Sequence, residues 1–312
     1  MICDGMATRY SSTVDKWRVP APTAILKAVM ADATIITVRR HGNPNGPRMV
    51  FSHGCGLAAD LYYPYWSLLA DRFDLCIFDL RSHGWNQVSP IESLNIATLA
   101  ADNQTIIEAI STNWGPKPCL GVFHSLSAVM ALTHQRHKPD FTSLVLFDPG
   151  LKLPGGTTQH LDEVCQKHAK RARRRQRHFA SRHELAEMLG QTPAYSLIPP
   201  KTLSLLADAT LRPATGGGYE LRCPPKQESQ LVEWYFGFAM QASHMIDSLD
   251  IPIKAISSDP TIQSSFLPGL DLNTLARFNY DFIPGKTHFL QLEGPEECAT
   301  LTIEFLERHH LA

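Results

Sequence analysis

Leu120-Gly121-Val122-Phe123-His124-Ser125-Leu126-Ser127-Ala128 is an apolar run that ends on a serine and passes at once into a helical pattern. A serine on so sharp a strand-to-helix turn has its hydroxyl pushed out above the sheet, open to a substrate. The turn crowds the positions two residues to either side, and small side chains suit them. Ser127 meets that requirement; Phe123 does not. A serine at this place also suits an ordinary helix N-cap, so the rest of the chain has to decide.

Working outward, short apolar runs recur at Thr34–Val38, Met49–Ser52, Leu75–Asp79, Leu120–His124, Leu144–Asp148, Ile253–Ser257 and Phe278–Ile283. Runs that are apolar throughout, rather than alternating, predict strands covered on both faces, as in a parallel sheet. Helical spacing lies between them at Ile96–Ile110, from Ser125 to Gln135, and at Pro295–Arg308, where the proline suits a first turn. This alternation predicts an α/β fold: a mostly parallel sheet flanked by helices. From about Leu151 to Ser248 the rhythm breaks into helical and loop-like sequence without clear buried strands. Residues 1–150 and 249–312 are therefore expected to form the core, and residues 151–248 an inserted helical cap, or lid.

Two further segments carry chemistry. Phe51-Ser52-His53-Gly54-Cys55-Gly56 follows a strand, and a His-Gly turn there aims a backbone N–H at a developing oxyanion. The expected donors are the amides of Cys55 and of Leu126, the residue after Ser125. Phe78-Asp79-Leu80-Arg81-Ser82-His83-Gly84-Trp85-Asn86 resembles the D-x-R-G-H-G-x-S segment that α/β-hydrolases often carry after the fourth strand. The resemblance extends to the His53-Gly54 turn, the elbow at Ser125 and the Gly285-Lys286-Thr287-His288-Phe289 segment, so it runs the length of the chain. Phe123, Ser82 and Asn86 depart from the family pattern of glycine, glycine and serine.

The resemblance implies a serine hydrolase. Ser125 would be the nucleophile, and His288, on the loop after the last strand, its general base. The family order of serine, acid, histidine implies an acid between them. Asp259 is favoured, with Asp148 in Phe147-Asp148-Pro149 as the second candidate. Carboxylic ester hydrolysis is the first expectation, with lactone opening and C–C bond cleavage using the same constellation. A non-catalytic relative that binds a small molecule is the alternative, and Phe123 in the elbow is what favours it.

Charge and composition narrow the partners. Lys and Arg number 29 against 30 Asp and Glu, a net charge of −1, so no global field draws nucleic acid or acidic lipid. The basic run Lys167–Arg177 is read as a solvated cap helix, and Trp234–Met240 as either an acyl-pocket wall or cap core. Seven scattered cysteines form no C-x-x-C pair, and no metal is assigned. No nucleotide-binding glycine motif is present, so no cofactor is expected. With no apolar leader in Met1–Trp17 and no membrane-length apolar run, the expectation is a cytoplasmic protein with a small-molecule substrate, no nucleic acid and no membrane partner.

Overall fold

A computed structural model describes residues 16–149, 158–242, 249–262, 276 and 278–312. Eight strands form the main sheet: β1 (Ala24–Val29), β2 (Ile35–Gly42), β3 (Arg48–Ser52), β4 (Asp74–Phe78), β5 (Cys119–His124), β6 (Phe141–Phe147), β10 (Ile253–Ser257) and β11 (Asp281–Phe282). Their order is β1-β2-β4-β3-β5-β6-β10-β11. The β1–β2 and β2–β4 pairs are antiparallel, and every pair from β4 to β11 is parallel. The fold is thus α/β with a mostly parallel sheet.

The apolar runs behave as their composition dictates. Strands β3, β4, β5 and β10 are buried at every residue, because helices cover both faces of the sheet. The edge strand β1, which apolar runs alone do not reveal, alternates between covered and exposed positions and leaves Ile25 and Val29 in water. The last strand is shorter than its apolar run, Asp281–Phe282 against Phe278–Ile283.

Helix α1 (Ile96–Trp114) begins at Asn95, whose side chain accepts the Thr98 N–H, and buries Ile96, Leu99, Ile106, Ile107 and Ile110. Helix α2 (Leu126–His137) leaves the nucleophile turn, and nearly all of it is buried. The chain ends on Pro295–Arg308, whose proline sits in the first turn. Two core layers result. One holds Val50, Phe78, Phe123, Leu126 and Phe141, the other Phe51, Tyr65, Trp66, Phe147 and Phe305.

Between β6 and β10 the chain forms α3 (Thr158–Arg173), α4 (Arg182–Gly190), α5 (Pro200–Thr210) and α6 (Pro225–Ala242). The C-terminal helix Pro295–Arg308 is therefore α7. Three strands also lie in this segment: β7 (His178–Phe179), β8 (Leu211–Pro213) and β9 (Tyr219–Leu221), paired antiparallel in the order β7-β9-β8. Strands of two or three residues are too short to show an alternating pattern, so the sequence reads as strand-free there. Helices α3 and α6 pack on each other, and α6 rests on α2 directly behind the nucleophile turn. Among the described residues no helix is long and apolar enough to cross a membrane.

Candidate active site

Strands β5 and β6 are neighbours, with His124 opposite Phe147. The next residue on each strand therefore leaves the same edge of the sheet, side by side. These residues are Ser125 and Asp148, and the Ser125 N–H donates to the Phe147 carbonyl at 2.9 Å. Both hold a positive φ, 53° at Ser125 and 40° at Asp148. Such backbone costs on the order of 1–3 kcal/mol and persists only where its surroundings over-determine it. Ser127 supplies part of that bracing. Its hydroxyl donates to the His124 carbonyl and accepts the His124 N–H, both at 3.0 Å. A small hydroxyl residue two places after the nucleophile thus ties the turn to its own strand.

His288 reaches this edge from the loop after β11. Its Nε2 lies 3.1 Å from Ser125 Oγ, and its Nδ1 lies 2.5 Å from Asp148 Oδ2. A carboxylate accepts, so Nδ1 carries the proton and Nε2 presents a lone pair to the serine hydroxyl. Asp148 is fully buried, and its second oxygen accepts the Ser258 N–H at 3.2 Å and the Ser258 hydroxyl at 3.1 Å. Burial pushes its carboxyl up, but the bond and charge of His288 and the Ser258 amide outweigh burial and hold it below the ordinary value.

Asp259, favoured as the acid on the family order, stands elsewhere. Its Oδ2 accepts the Gly285 N–H at 2.8 Å, and its Oδ1 accepts the amide and hydroxyl of Thr261. Its own N–H donates to the Lys286 carbonyl. These bonds draw its carboxyl down and fasten the turn that carries His288, while the imidazole itself meets Asp148. The physical reason is register. Asp148 ends the strand adjacent to the nucleophile strand, whereas Asp259 ends a strand one place farther out.

The two expected oxyanion donors lie on the elbow itself and on the turn that closes against it. Leu126 opens α2, so its N–H has no acceptor within the helix. Cys55 lies on the His53–Gly56 turn, which closes against the elbow: a Cβ on Gly54 would stand 2.7 Å from His124 Nδ1 and 3.3 Å from Ser125 Cβ. Only glycine permits that approach. Two histidines hold the turn. His53 Nε2 accepts the Leu80 N–H, and His83 Nε2 accepts the Gly56 N–H at 3.0 Å. The Cys55 thiol, raised well above its usual range first by burial, is no competing nucleophile.

Three side chains at the site escape sequence reading. His124 Nε2 lies 2.9 Å from the His288 carbonyl, which can only accept, so Nε2 bears the proton. The other nitrogen, Nδ1, then accepts from the Tyr62 hydroxyl at 2.7 Å, and Tyr62 accepts the Gly54 N–H at 3.2 Å. Tyr235 is buried on α6, and burial first pushes its phenol up. Nothing in the local pattern marks Tyr62 or Tyr235; they reach the site only through tertiary packing.

The departures from the family pattern have local accommodations. Ser82 adopts φ 63°, a conformation that glycine enters freely, and its hydroxyl accepts the Ser89 N–H at 2.9 Å. Asn86 donates to the Asp79 carbonyl and accepts the Thr37 N–H. The Phe123 ring turns away from Ser125 into the core, edge-on to Phe141 at 5.5 Å. It occupies the space beside Gly121, where a Cβ would stand 2.7 Å from Phe123 Cε2. In the Trp234–Met240 stretch, Trp234 is 47% exposed, and the side chains of 236–240 lie outside the described residues.

The chain matches the Alpha/beta hydrolase family over residues 49–301. No curated protein matches it. Solved structures similar to it include E-2-(acetamidomethylene)succinate hydrolase, at 19% identity, covering 91% of this chain and 99% of that one, with a TM-score of 0.73. A thioesterase domain from the curacin biosynthetic pathway is similar at 18% identity, 90% and 99% coverage and a TM-score of 0.70. A thermophilic esterase from Thermogutta terrifontis, studied with malate bound, is similar at 16% identity, 92% and 99% coverage and a TM-score of 0.66. At these identities the likeness to solved structures speaks for the fold alone, whereas the family match spans most of the sequence: this chain belongs to the Alpha/beta hydrolase family.

Proposed function

We propose that the protein is a serine hydrolase that cleaves a carboxylic ester, or a related acyl bond, of a small molecule. The observation that carries this reading is the continuous line from Asp148 Oδ2 through His288 to Ser125 Oγ, at 2.5 and 3.1 Å. A serine hydroxyl is a poor nucleophile unless a base takes its proton, and His288 Nε2 stands where that base is needed. As Oγ attacks the carbonyl carbon, its proton passes to Nε2. Asp148 stabilises the imidazolium and keeps the Nδ1 proton in place. The carbonyl oxygen takes the electron pair and lies between the Cys55 and Leu126 amides. His288 then returns its proton to the leaving oxygen. A water molecule attacks the acyl-enzyme by the same route in reverse and frees Ser125. No step draws on a cofactor.

The test is labelling by a fluorophosphonate, which reacts only with an activated serine. The wild-type protein is expected to label stoichiometrically and the Ser125→Ala variant not at all, with ester turnover lost by several orders of magnitude, because triad members act as a unit. A folded wild-type protein that neither labels nor hydrolyses any ester would instead support a binding protein on a hydrolase fold.

A further inference from the structure

Gly56, next to the Cys55 amide, is held from two sides. On one side His83 Nε2 accepts its N–H at 3.0 Å. On the other stand two residues of the segment between β6 and β10: Arg175, just after α3, and Glu228, in the first turn of α6. Arg175 Nη1 donates to Glu228 Oε2 at 2.6 Å. The carboxylate so held fills the place of a Gly56 side chain: a Cβ there would stand 2.7 Å from Glu228 Oε1 and 3.0 Å from Arg175 Nη1. The Glu228 carbonyl also accepts from Cys55 Sγ at 3.8 Å. One residue of α6 thus meets the turn with both its main chain and its side chain.

The same segment grips the loop that carries His83. Arg222, after β9, donates from Nη1 to the carbonyl of Gly84, the next residue, at 2.8 Å. The Arg175–Glu228 pair is more sheltered than a surface ion pair, with side chains 23% and 11% exposed. A sheltered pair that loses one member strands the other's charge, so its geometry is strongly specified. Pairing has a second consequence. A bare carboxylate beside the turn would oppose negative charge growing on a substrate oxygen, and the guanidinium offsets it. Within the basic run Lys167–Arg177, expected to lie in solvent, Arg175 turns instead toward the catalytic edge.

We propose that the Arg175–Glu228 pair positions the oxyanion donor: it packs on Gly56 and so fixes the Cys55 amide relative to Ser125. The segment between β6 and β10 then takes part in the chemistry by holding the turn, beyond any part in admitting substrate. Both are positioning residues, acting through the turn. The inference rests on the hydrolase reading for its effect on rate, but not for its effect on the turn.

Glu228→Ala removes the group that packs on Gly56. Its kcat on 4-nitrophenyl butyrate should fall about tenfold with KM little changed, since misplaced catalytic groups cost up to about 10²-fold. Glu228→Gln keeps the shape and can still accept from Arg175, so it should recover most of the rate. Arg175→Ala releases the carboxylate and leaves its charge beside the turn. It should lose at least as much, and it serves where Glu228→Ala does not fold. Glu220→Ala is the control: Glu220 pairs with Arg177 and Arg212 around the β7-β9-β8 sheet. Its loss should lower the melting temperature with kcat retained.

Hydrogen–deuterium exchange supplies an arm independent of turnover. Amides of residues 53–57 should exchange about tenfold faster in Glu228→Ala or Arg175→Ala than in the wild type, and at the wild-type rate in Glu220→Ala. That faster exchange upholds the positioning role even if the wild-type protein turns over no ester, in which case the hydrolase reading alone fails. Wild-type kcat or wild-type exchange at 53–57 in Glu228→Ala and Arg175→Ala, or an equal loss of rate in Glu220→Ala, would overturn the inference and leave the hydrolase reading intact.

Discussion

Asp148 and His288 meet at 2.5 Å although 140 positions separate them in the chain, and the sheet order brings them together. Asp148 ends β6, beside the strand that ends in Ser125, so acid and nucleophile are fixed by a single register. Asp148→Asn is expected to invert the preference of His288 for its Nδ1 tautomer and to lower kcat by about 10⁴, the size of the effect where this geometry is known to act. Asp259→Asn should lower it far less, because Asp259 acts on the Gly285 turn through the backbone. Both variants are to be assayed on one ester after circular dichroism confirms their folding. A large loss at Asp259 with a mild one at Asp148 would refute the assignment.

Phe123 is expected to matter for stability and not for substrate choice. Its ring is wholly buried and lies edge-on to Phe141. Phe123→Ala should destabilise the fold by about 3–5 kcal/mol, the usual loss for a buried phenylalanine. Preference along a series of 4-nitrophenyl esters should hold its order, since the ring faces away from Ser125. A denaturant titration together with that ester series checks both halves. A changed chain-length preference at unchanged stability would place the ring in the pocket after all.

The main features of the fold were legible because strands buried on both faces leave unbroken apolar runs, as at Met49–Ser52 and Ile253–Ser257. Edge strand β1 was not, since half its residues face water and local pattern alone does not separate it from a loop. Ser125 and His288 could be read because their chemistry is tied to a turn and a loop with local signatures. Asp259 ranked above Asp148 on the family order, and the structure reverses that ranking: each follows a strand and each precedes a proline, and what separates them is which strand lies next to β5. Tyr62 and Tyr235 are beyond such reading altogether, as a tyrosine carries no local mark of what its hydroxyl will touch.

Stability is expected to fall as the pH is lowered from about 6.5 toward 4. Burial first, then neighbouring charge, pushes His41 and His83 down to about 4 and His124 down to about 3, so all three are neutral in the folded protein. In the unfolded chain each titrates near 6.5. Between those values the unfolded state binds more protons, which makes unfolding easier at lower pH by up to about 1.4 kcal/mol per pH unit for each histidine. Asp148, held below its ordinary value, adds its own loss only at still lower pH, as its carboxylate is protonated. Calorimetric melting from pH 8 to 4.5 should show the decline. His41, packed on Trp66 away from the site, offers the check. His41→Gln should flatten the slope by about one histidine's share. A slope equal to that of the wild type would show that His41 is not titrating as its burial requires.

The Tyr62–His124 pair is expected to position the catalytic groups rather than merely to stabilise the fold. The direction of every proton in it is set: the Gly54 N–H donates to Tyr62, Tyr62 to His124 Nδ1, and His124 Nε2–H to the His288 carbonyl. The chain therefore ties the turn that bears the Cys55 amide to the residue that acts as base, so the oxyanion donor and the general base keep a fixed separation. Tyr62→Phe removes the middle hydroxyl and leaves the Gly54 amide and His124 Nδ1 unsatisfied. That costs about 1–3 kcal/mol of stability. A small misplacement of catalytic groups can cost up to about 10²-fold in rate, so kcat should fall about tenfold while KM changes little. Tyr65, three residues on, provides the matched control: its phenol is equally buried and meets Thr302 at 3.0 Å, away from the site. Tyr65→Phe should lose comparable stability with kcat retained. Equal losses of kcat in the two variants, tracking their loss of melting temperature, would reduce Tyr62 and His124 to plain structural partners.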